Sequence, residues 1–122
     1  MSDIIVAGHG GWCLNSIKYL LKKNFLIKLV IGRYTNEDYE IKIFCKSNKI
    51  NYKIYKNINN PNIVRELSNY NSNLFISISY DQILGLKIIN SFKNIINFHA
   101  GDLPNYRGRS VVNWALINGK KK

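Results

Sequence analysis

The first structural unit of the chain is encoded by one short stretch, Ile4-Ile5-Val6-Ala7-Gly8-His9-Gly10-Gly11. Its β-branched half predicts a buried strand, and its glycine-rich half predicts a tight turn. Beyond the turn, residues 12–23 carry apolar side chains at helical spacing and end on two lysines, which suit a helix C-terminus. A strand that passes through a short turn into a helix is the building block of a parallel α/β sheet.

The same alternation continues through the rest of the sequence. Apolar or β-branched runs predict strands at residues 25–31, 51–55, 74–79 and 95–98, with 51–55 near a sheet edge. Helical patterns predict helices at residues 37–47, shortly after Pro61, at 82–89 and at 110–118. We therefore predict an α/β fold with a doubly wound, Rossmann-like, mostly parallel sheet. Ligands of such sheets bind outside the carboxyl ends of the strands, so residues 8–12, 80–84 and 99–108 are the candidate site segments.

Length and composition narrow the class of protein. The 122 residues fit one domain or part of one, and with 46% hydrophobic residues they can bury a core. No apolar run reaches the ~18–20 residues of a membrane span, and no signal-peptide pattern opens the chain. Two cysteines cannot build a disulfide framework, and two histidines alone cannot hold zinc. We expect a soluble, cytoplasmic protein with no metal and no membrane partner.

The formal charge of +11 has two explanations. Clustered lysines and arginines could neutralise the phosphates of a nucleic acid. However, 19 Ile, 18 Asn and 14 Lys together make up a large part of the chain, and all three have A/T-rich codons. The lysines are also spread along the sequence, except for Lys120, Lys121 and Lys122. We interpret the charge as a codon-driven, solvated surface, so a nucleic-acid partner is not expected from charge alone.

The glycine loop after the first predicted strand could contact an anion. Glycines let backbone N–H groups approach a ligand, and the N-terminus of the following helix adds a favourable dipole. The spacing is not that of a dinucleotide-binding fingerprint, because Cys13 stands where the last glycine belongs. The alternative is that Gly8, Gly10 and Gly11 only form a tight turn, and both interpretations remain open.

A second constellation lies at the end of the predicted fifth strand. Strand alternation places Asn97 and His99 on the same side of that strand. A carboxamide N–H can donate to a developing oxyanion, and an imidazole can move a proton near neutral pH. Acyl transfer to an amine needs both functions at one carbon. The alternative is that each side chain is an ordinary hydrogen-bonded polar group at a strand end.

Four runs near the C-terminal end form a recognisable set: Asn97-Phe98-His99, Leu103-Pro104, Tyr106-Arg107-Gly108 and Trp114-Ala115-Leu116-Ile117-Asn118-Gly119. This set resembles the formyltransferases that use 10-formyltetrahydrofolate. The resemblance is densest from about Leu74 to Gly119, and Ile4–Gly11 fits the family's first strand and loop. The tetrapeptide Gly101-Asp102-Leu103-Pro104 is more similar to the branch of the family that acts on nucleotide-linked amino sugars than to methionyl-tRNA formyltransferase. The resemblance therefore implies formyl transfer from 10-formyltetrahydrofolate, as co-substrate, to the primary amine of an amino-sugar nucleotide.

The resemblance also implies roles for individual residues. Asn97 would hold the oxyanion and His99 would take part in proton transfer. Four residues after the predicted fourth strand would line the folate pocket: Tyr80, Asp81, Gln82 and Ile83. The formyl acceptor would be contacted by Gly8, His9, Gly10 and Arg107. For Arg107, a structural bond to loop carbonyls is an equal alternative.

The same resemblance predicts that residues 1–122 are the N-terminal part of a formyltransferase catalytic domain, with the sheet incomplete at its C-terminal side. The family's catalytic aspartate would lie beyond Lys122, so we expect this chain alone to be inactive or nearly so. The alternatives are a fragment of a methionyl-tRNA formyltransferase, with tRNA as partner, or a truncated product without catalysis. A slip in the adenine-rich codons of Lys120–Lys122 would explain an early stop. The sequence does not indicate the oligomeric state.

Overall fold

The computed structural model describes residues 3–100 and 112–117, and it describes side chains within residues 3–98. Among these residues the elements are, in chain order, β1 (Asp3–Gly8), α1 (Gly10–Lys22), β2 (Leu26–Gly32), α2 (Tyr39–Ser47), β3 (Tyr52–Ile54), α3 (Pro61–Ser68), β4 (Leu74–Ile78), α4 (Leu86–Ser91), β5 (Asn94–Ala100) and β6 (Val112–Ile117). The strands form one sheet in the order β3-β2-β1-β4-β5-β6. Strands β1 to β5 are parallel and β6 is antiparallel to β5.

The first strand lies inside the sheet and is buried on both faces. Ile4 and Val6 pack on the face covered by α1 and α2, whereas Ile5 and Ala7 pack on the face covered by α3 and α4. Each of these four side chains is at most 1% exposed. A strand that is covered on both faces needs an unbroken apolar run, because successive side chains alternate between the two faces. The predicted doubly wound α/β fold is therefore confirmed.

The structure corrects two predicted helices. The sequence pattern predicts a helix at residues 110–118, but the described part of that range, Val112–Ile117, forms β6 and pairs with β5, from Ala100 opposite Val112 to Ile95 opposite Ile117. The β-branched and aromatic residues of this segment favour a strand, and pairing satisfies the backbone groups along the edge of β5. The helix predicted at residues 82–89 begins later, at Leu86. Side chains from a neighbouring loop hold the backbone before it in a non-helical conformation, as described below.

The other predicted elements lie within a few residues of their expected positions, and the predicted edge strand is β3, which ends the sheet. Within the described part of the chain, no helix has both the length and the apolar character needed to cross a bilayer.

Candidate active site

The carboxyl ends of three parallel strands, β1, β4 and β5, place the first two predicted site segments beside the end of β5, and residues 101–108 of the third segment lie outside the described part of the structure. The strand register pairs Gly8 on β1 with Ile78 on β4, and Ile78 with Phe98 on β5. Just past the strand ends, the His9 N–H donates to the carbonyl of Ile78 at 3.1 Å, and the Ser79 N–H donates to the carbonyl of Phe98 at 3.2 Å. The segments that follow β1 and β4 and the end of β5 therefore form one continuous edge, where ligands of this fold class bind.

Gly8 allows β1 and β4 to approach closely at this edge. A β-carbon on Gly8 would lie 2.2 Å from the carbonyl oxygen of Ile78 and 2.8 Å from the Sγ atom of Cys13. The first of these atoms belongs to the backbone and cannot turn away. The glycine is thus required by packing at the strand end, whether or not a ligand binds there.

The turn after Gly8 is held by Asp38, the N-cap residue of α2. Gly10 adopts a φ of +88°, and its N–H donates to Oδ2 of Asp38 at 2.9 Å. The other carboxylate oxygen, Oδ1, accepts from the N–H groups of Glu40 at 3.0 Å and Ile41 at 3.3 Å. The N–H groups of His9 and Gly10 therefore both donate to acceptors within the protein. Acceptor binding by Gly8, His9 and Gly10 stays a prediction.

Replacing Asp38 with alanine should destabilise the protein by about 2–4 kcal/mol. The change removes an N-cap, which contributes about 0.5–2 kcal/mol, and a charge-assisted hydrogen bond to Gly10, which contributes about 1.5–3 kcal/mol. Urea denaturation followed by circular dichroism measures the loss. Asp38→Asn is the matched control: asparagine keeps the N-cap through Oδ1, whereas its Nδ2 cannot accept from the Gly10 N–H, so the loss should be smaller by the contribution of the cap. A loss below about 0.5 kcal/mol in Asp38→Ala would show that the carboxylate does not hold the turn.

The predicted catalytic asparagine faces the site with its carboxamide unpaired. Asn97 lies on β5, next to Ser77 on β4, and is half-buried. Its neighbour Phe98 stacks on Trp12 of α1 with ring centroids 5.2 Å apart, so Asn97 points to the opposite face, on the side of Ile95. No side chain or backbone group among the described residues forms a hydrogen bond with the carboxamide of Asn97. A half-buried amide without a partner can donate to a ligand at little cost.

His99 follows two residues later on β5, and its side chain lies outside the described part of the structure, as does all of Arg107. Their predicted roles in proton transfer and acceptor binding stay predictions.

The predicted folate segment is a fixed loop. Gln82 holds it to the segment before α3, because its Oε1 accepts from the Ile58 N–H at 2.7 Å and its Nε2 donates to the Tyr55 carbonyl at 2.8 Å. Asn59 adds two bonds: its Nδ2 donates to the Ile83 carbonyl at 2.8 Å, and its Oδ1 accepts from the Gly85 N–H at 2.7 Å. These bonds explain why α4 begins after Gly85. Both polar atoms of the Gln82 side chain are thus hydrogen-bonded within the protein.

The other three residues of that segment differ in their exposure. Tyr80 packs against the α3/α4 core, and burial raises the pKa of its hydroxyl. Asp81 is exposed, and the Ile83 side chain is 86% exposed at the mouth of the site. An exposed apolar side chain beside a row of backbone groups suits a flat heterocyclic ligand, so the predicted folate contacts are compatible with the loop.

Replacing Gln82 with alanine should destabilise the protein by about 1–3 kcal/mol. Ile58 is fully buried, so its N–H would lose its partner in a place where water cannot substitute. Asp81→Ala is the matched control, because it changes an exposed neighbour and should stay within about 0.5 kcal/mol. Guanidinium denaturation of both variants gives the comparison. Equal stability of the two variants would show that Gln82 does not hold the loop.

The site also contains an arginine that sequence reasoning missed. Arg33 directly follows β2, and its Nε and Nη2 atoms both donate to the carbonyl of Ser79, at 3.1 and 2.8 Å. Ser79 has a φ of +55°, which turns the chain at the end of β4. The importance of Arg33 depends on the order of strands in the sheet, and no local pattern marks it. Asp38 did carry a local signal, since an aspartate just before a helical pattern is a typical N-cap.

The two cysteines lie near the site and are not suited to act as nucleophiles. Cys13 and Cys45 are both buried and unbridged. Burial raises the pKa of the Cys13 thiol to about 12 and that of Cys45 to about 11, so both stay protonated near neutral pH. The chemistry of this edge therefore depends on other groups.

Comparison with known proteins identifies the family. The family model described as formyl transferase matches residues 28–122. The chain belongs to the formyltransferase family. A methionyl-tRNA formyltransferase of Thermodesulfovibrio yellowstonii is 32% identical over 129 residues, which cover 98% of this chain and 42% of that protein. One from Finegoldia magna is 40% identical over 68 residues, or 55% of this chain and 22% of that protein.

Solved structures show the same fold. Glycinamide ribonucleotide transformylase 1 from Symbiobacterium toebii superposes with a TM-score of 0.67 at 19% identity, over 88% of this chain and 56% of that one. At this identity the likeness concerns the fold alone. The chain spans less than half the length of the curated formyltransferases it matches.

Proposed function

We propose that this formyltransferase-family protein transfers a formyl group from 10-formyltetrahydrofolate to a primary amine. The observation that carries the proposal is the half-buried carboxamide of Asn97, which has no hydrogen-bond partner among the described residues and lies near the carboxyl edge of the sheet. Family membership through residues 28–122 supports it, since this match includes Asn97 and His99. The buried, protonated cysteines offer no competing nucleophile.

Asn97 acts on the formyl carbonyl. Its Nδ2–H donates to the carbonyl oxygen as the amine attacks the formyl carbon, and it holds the negative charge that develops there. The new C–N bond forms to the amine, and the bond between the formyl carbon and N10 of the folate breaks. His99 takes the proton from the attacking amine and returns one to N10, so the products are an N-formyl amide and tetrahydrofolate.

The donor binds against the loop of Tyr80, Asp81, Gln82 and Ile83. Gln82 and Asn59 fix the backbone of this loop, which presents its N–H and carbonyl groups without the entropic cost of ordering. The exposed Ile83 side chain supplies an apolar surface for the pterin. The loop is thus pre-organised beside Asn97.

Two acceptors are distinguished by different observations. The relatives named above are methionyl-tRNA formyltransferases, which favours a methionyl-tRNA acceptor. The tetrapeptide Gly101-Asp102-Leu103-Pro104 favours an amino-sugar nucleotide as the acceptor. We place the reaction in the cytoplasm, a reducing compartment that suits two unbridged cysteines.

Donor binding and transfer test the proposal in two steps. Isothermal titration with 10-formyltetrahydrofolate should show saturable binding to the purified chain. Single-turnover reactions with excess protein should then formylate methionyl-tRNA or an amino-sugar nucleotide, as detected by mass spectrometry of the product. Excess protein makes even slow transfer visible. Absence of donor binding would contradict the proposal.

A further inference from the structure

Arg33 occupies the crevice at the centre of the sheet edge. β1 lies between β2 and β4, so a side chain from the end of β2 that bonds to the end of β4 must pass over the end of β1. Neighbouring strands are about 4.8 Å apart, so this span is about 10 Å. The Arg33 side chain therefore crosses the end of β1, where Gly8 is followed by His9, and its guanidinium reaches the end of β4.

The position is also the topological switch point of the sheet. From β1 the chain moves outward to β2 and β3 through α1 and α2, which pack on one face. It then returns to β4 and goes on to β5 through α3 and α4, which pack on the other face. Helices that leave in opposite directions open a crevice between β1 and β4, and this crevice is the usual binding place in doubly wound folds.

The guanidinium retains one free edge. Its Nε and Nη2 atoms form the edge that holds the Ser79 carbonyl, which leaves the edge formed by Nη1 and Nη2 without a hydrogen-bond partner among the described residues. Within residues 3–98 the ion pairs involve lysines and none involves Arg33. The carboxylate of Asp38 accepts three backbone N–H groups and forms no ion pair with Arg33 among the described residues.

A second unsatisfied polar group, in the side chain of His9, lies at the same end of the sheet. The Nδ1 atom of His9 is buried and has no hydrogen-bond partner among the described residues. The guanidinium of Arg33 is half-buried and fixed by one edge, so the N–H groups of its other edge can be offered to one anion at this end of the sheet. Two parallel N–H groups of a guanidinium match two oxygens of a phosphate.

We propose that Arg33 binds a phosphate group of the formyl acceptor. The inference rests on the proposed function, because both candidate acceptors, the amino-sugar nucleotide and the aminoacylated RNA, carry phosphate. The two hydrogen bonds from Arg33 to Ser79 fix the phosphate relative to β4, the strand that leads into the donor-binding loop. Arg33 would thereby set the distance between the acceptor amine and Asn97.

Titration of the purified chain with inorganic diphosphate tests the inference. We expect saturable binding that is at least about tenfold weaker in Arg33→Gln and within about twofold of wild type in Arg65→Gln. Arg65 is the matched control, because it carries the same charge on the exposed face of α3, and among the described residues its side chain bonds only to Asn62. Equal affinities of wild type and Arg33→Gln, or no binding by wild type, would overturn the proposal.

Arg33→Lys keeps the experiment decisive if Arg33→Gln does not fold. Lysine retains the charge but cannot hold Ser79 and a phosphate at once, so at least about threefold weaker binding is expected in a folded variant. The ¹⁵Nε resonance of Arg33 should also shift when diphosphate is added to wild type. A resonance that does not move during saturable binding would place the anion elsewhere and overturn the proposal.

UDP and a short single-stranded RNA distinguish the two sources of phosphate. Arg33-dependent binding of UDP alone supports a nucleotide-linked acceptor, and Arg33-dependent binding of the RNA alone supports an RNA acceptor. Binding of both that is unaffected by Arg33→Gln would overturn the proposal. Donor titrations run in parallel distinguish the two hypotheses. If 10-formyltetrahydrofolate binds but diphosphate does not, the proposed function is retained and the proposed role of Arg33 is rejected.

Discussion

Replacing Asn97 with alanine should lower the single-turnover rate of formyl transfer by about 10²–10³-fold, the cost of removing one oxyanion donor. The carboxamide has no hydrogen-bond partner among the described residues, so it is available to the formyl oxygen, and their bond strengthens as negative charge develops there. An interaction that is present in the donor complex and becomes stronger in the transition state affects the rate of the chemical step more than donor affinity. Rapid-quench measurement of the formylated product gives the rate, and donor titration gives the affinity.

Asn94→Ala is the matched control for this prediction. Asn94 begins the same strand, at the edge of the sheet opposite the site, so its loss should leave the rate within about twofold. Asn97→Asp should be at least as damaging as Asn97→Ala, because an ionised carboxylate cannot donate and repels an oxyanion. If Asn97→Ala transferred the formyl group at the wild-type rate, Asn97 would not be the oxyanion donor.

Replacing Gly8 with alanine should destabilise the protein by about 4 kcal/mol or more. The new methyl group would meet the carbonyl oxygen of Ile78 at 2.2 Å, so β1 and β4 would have to separate where they pair. Overpacking against mobile side chains costs about 1–3 kcal/mol, and a clash with backbone in a central strand pair should exceed that range. Urea denaturation with linear extrapolation measures the change in the free energy of unfolding.

Gly11→Ala separates this clash from the general effect of adding a methyl group. Gly11 is in the first turn of α1, and apart from its chain neighbours and the helix backbone no atom of the described residues lies within 4 Å of a β-carbon built on it. The substitution should leave stability unchanged or raise it by up to about 1 kcal/mol, because alanine favours the helix more than glycine does. Equal losses in Gly8→Ala and Gly11→Ala would contradict the close approach of β1 and β4.

The central part of the fold could be predicted from the sequence because the apolar pattern there has a single interpretation. Residues 4–7 must be covered on both faces, and the glycines that follow admit only a tight turn. The apolar pattern of residues 112–117 is ambiguous, because it fits a helix as well as a strand. Pairing with β5 decides in favour of the strand, and a partner strand is not visible in local periodicity.

The candidate site was predictable only in part, for a related reason. Asn97 could be proposed because alternation along one strand places it on the same side as His99, and in the structure it is the fourth residue of β5. The contacts of Arg33 with Ser79 and of Gln82 with Ile58 join residues that are far apart in the chain. Such contacts follow from the strand order and from the meeting of two loops, which single-sequence patterns do not encode.

The infrared spectrum of bound donor tests the central claim most directly. With 10-formyltetrahydrofolate labelled with carbon-13 in the formyl group, the difference spectrum isolates the formyl C=O stretch without requiring turnover. Polarisation by Asn97 predicts a lower stretching frequency in the complex with wild type, retained in Asn94→Ala and largely lost in Asn97→Ala. The same frequency in wild type and Asn97→Ala, with donor bound to both, would contradict the assignment of Asn97 to the formyl oxygen.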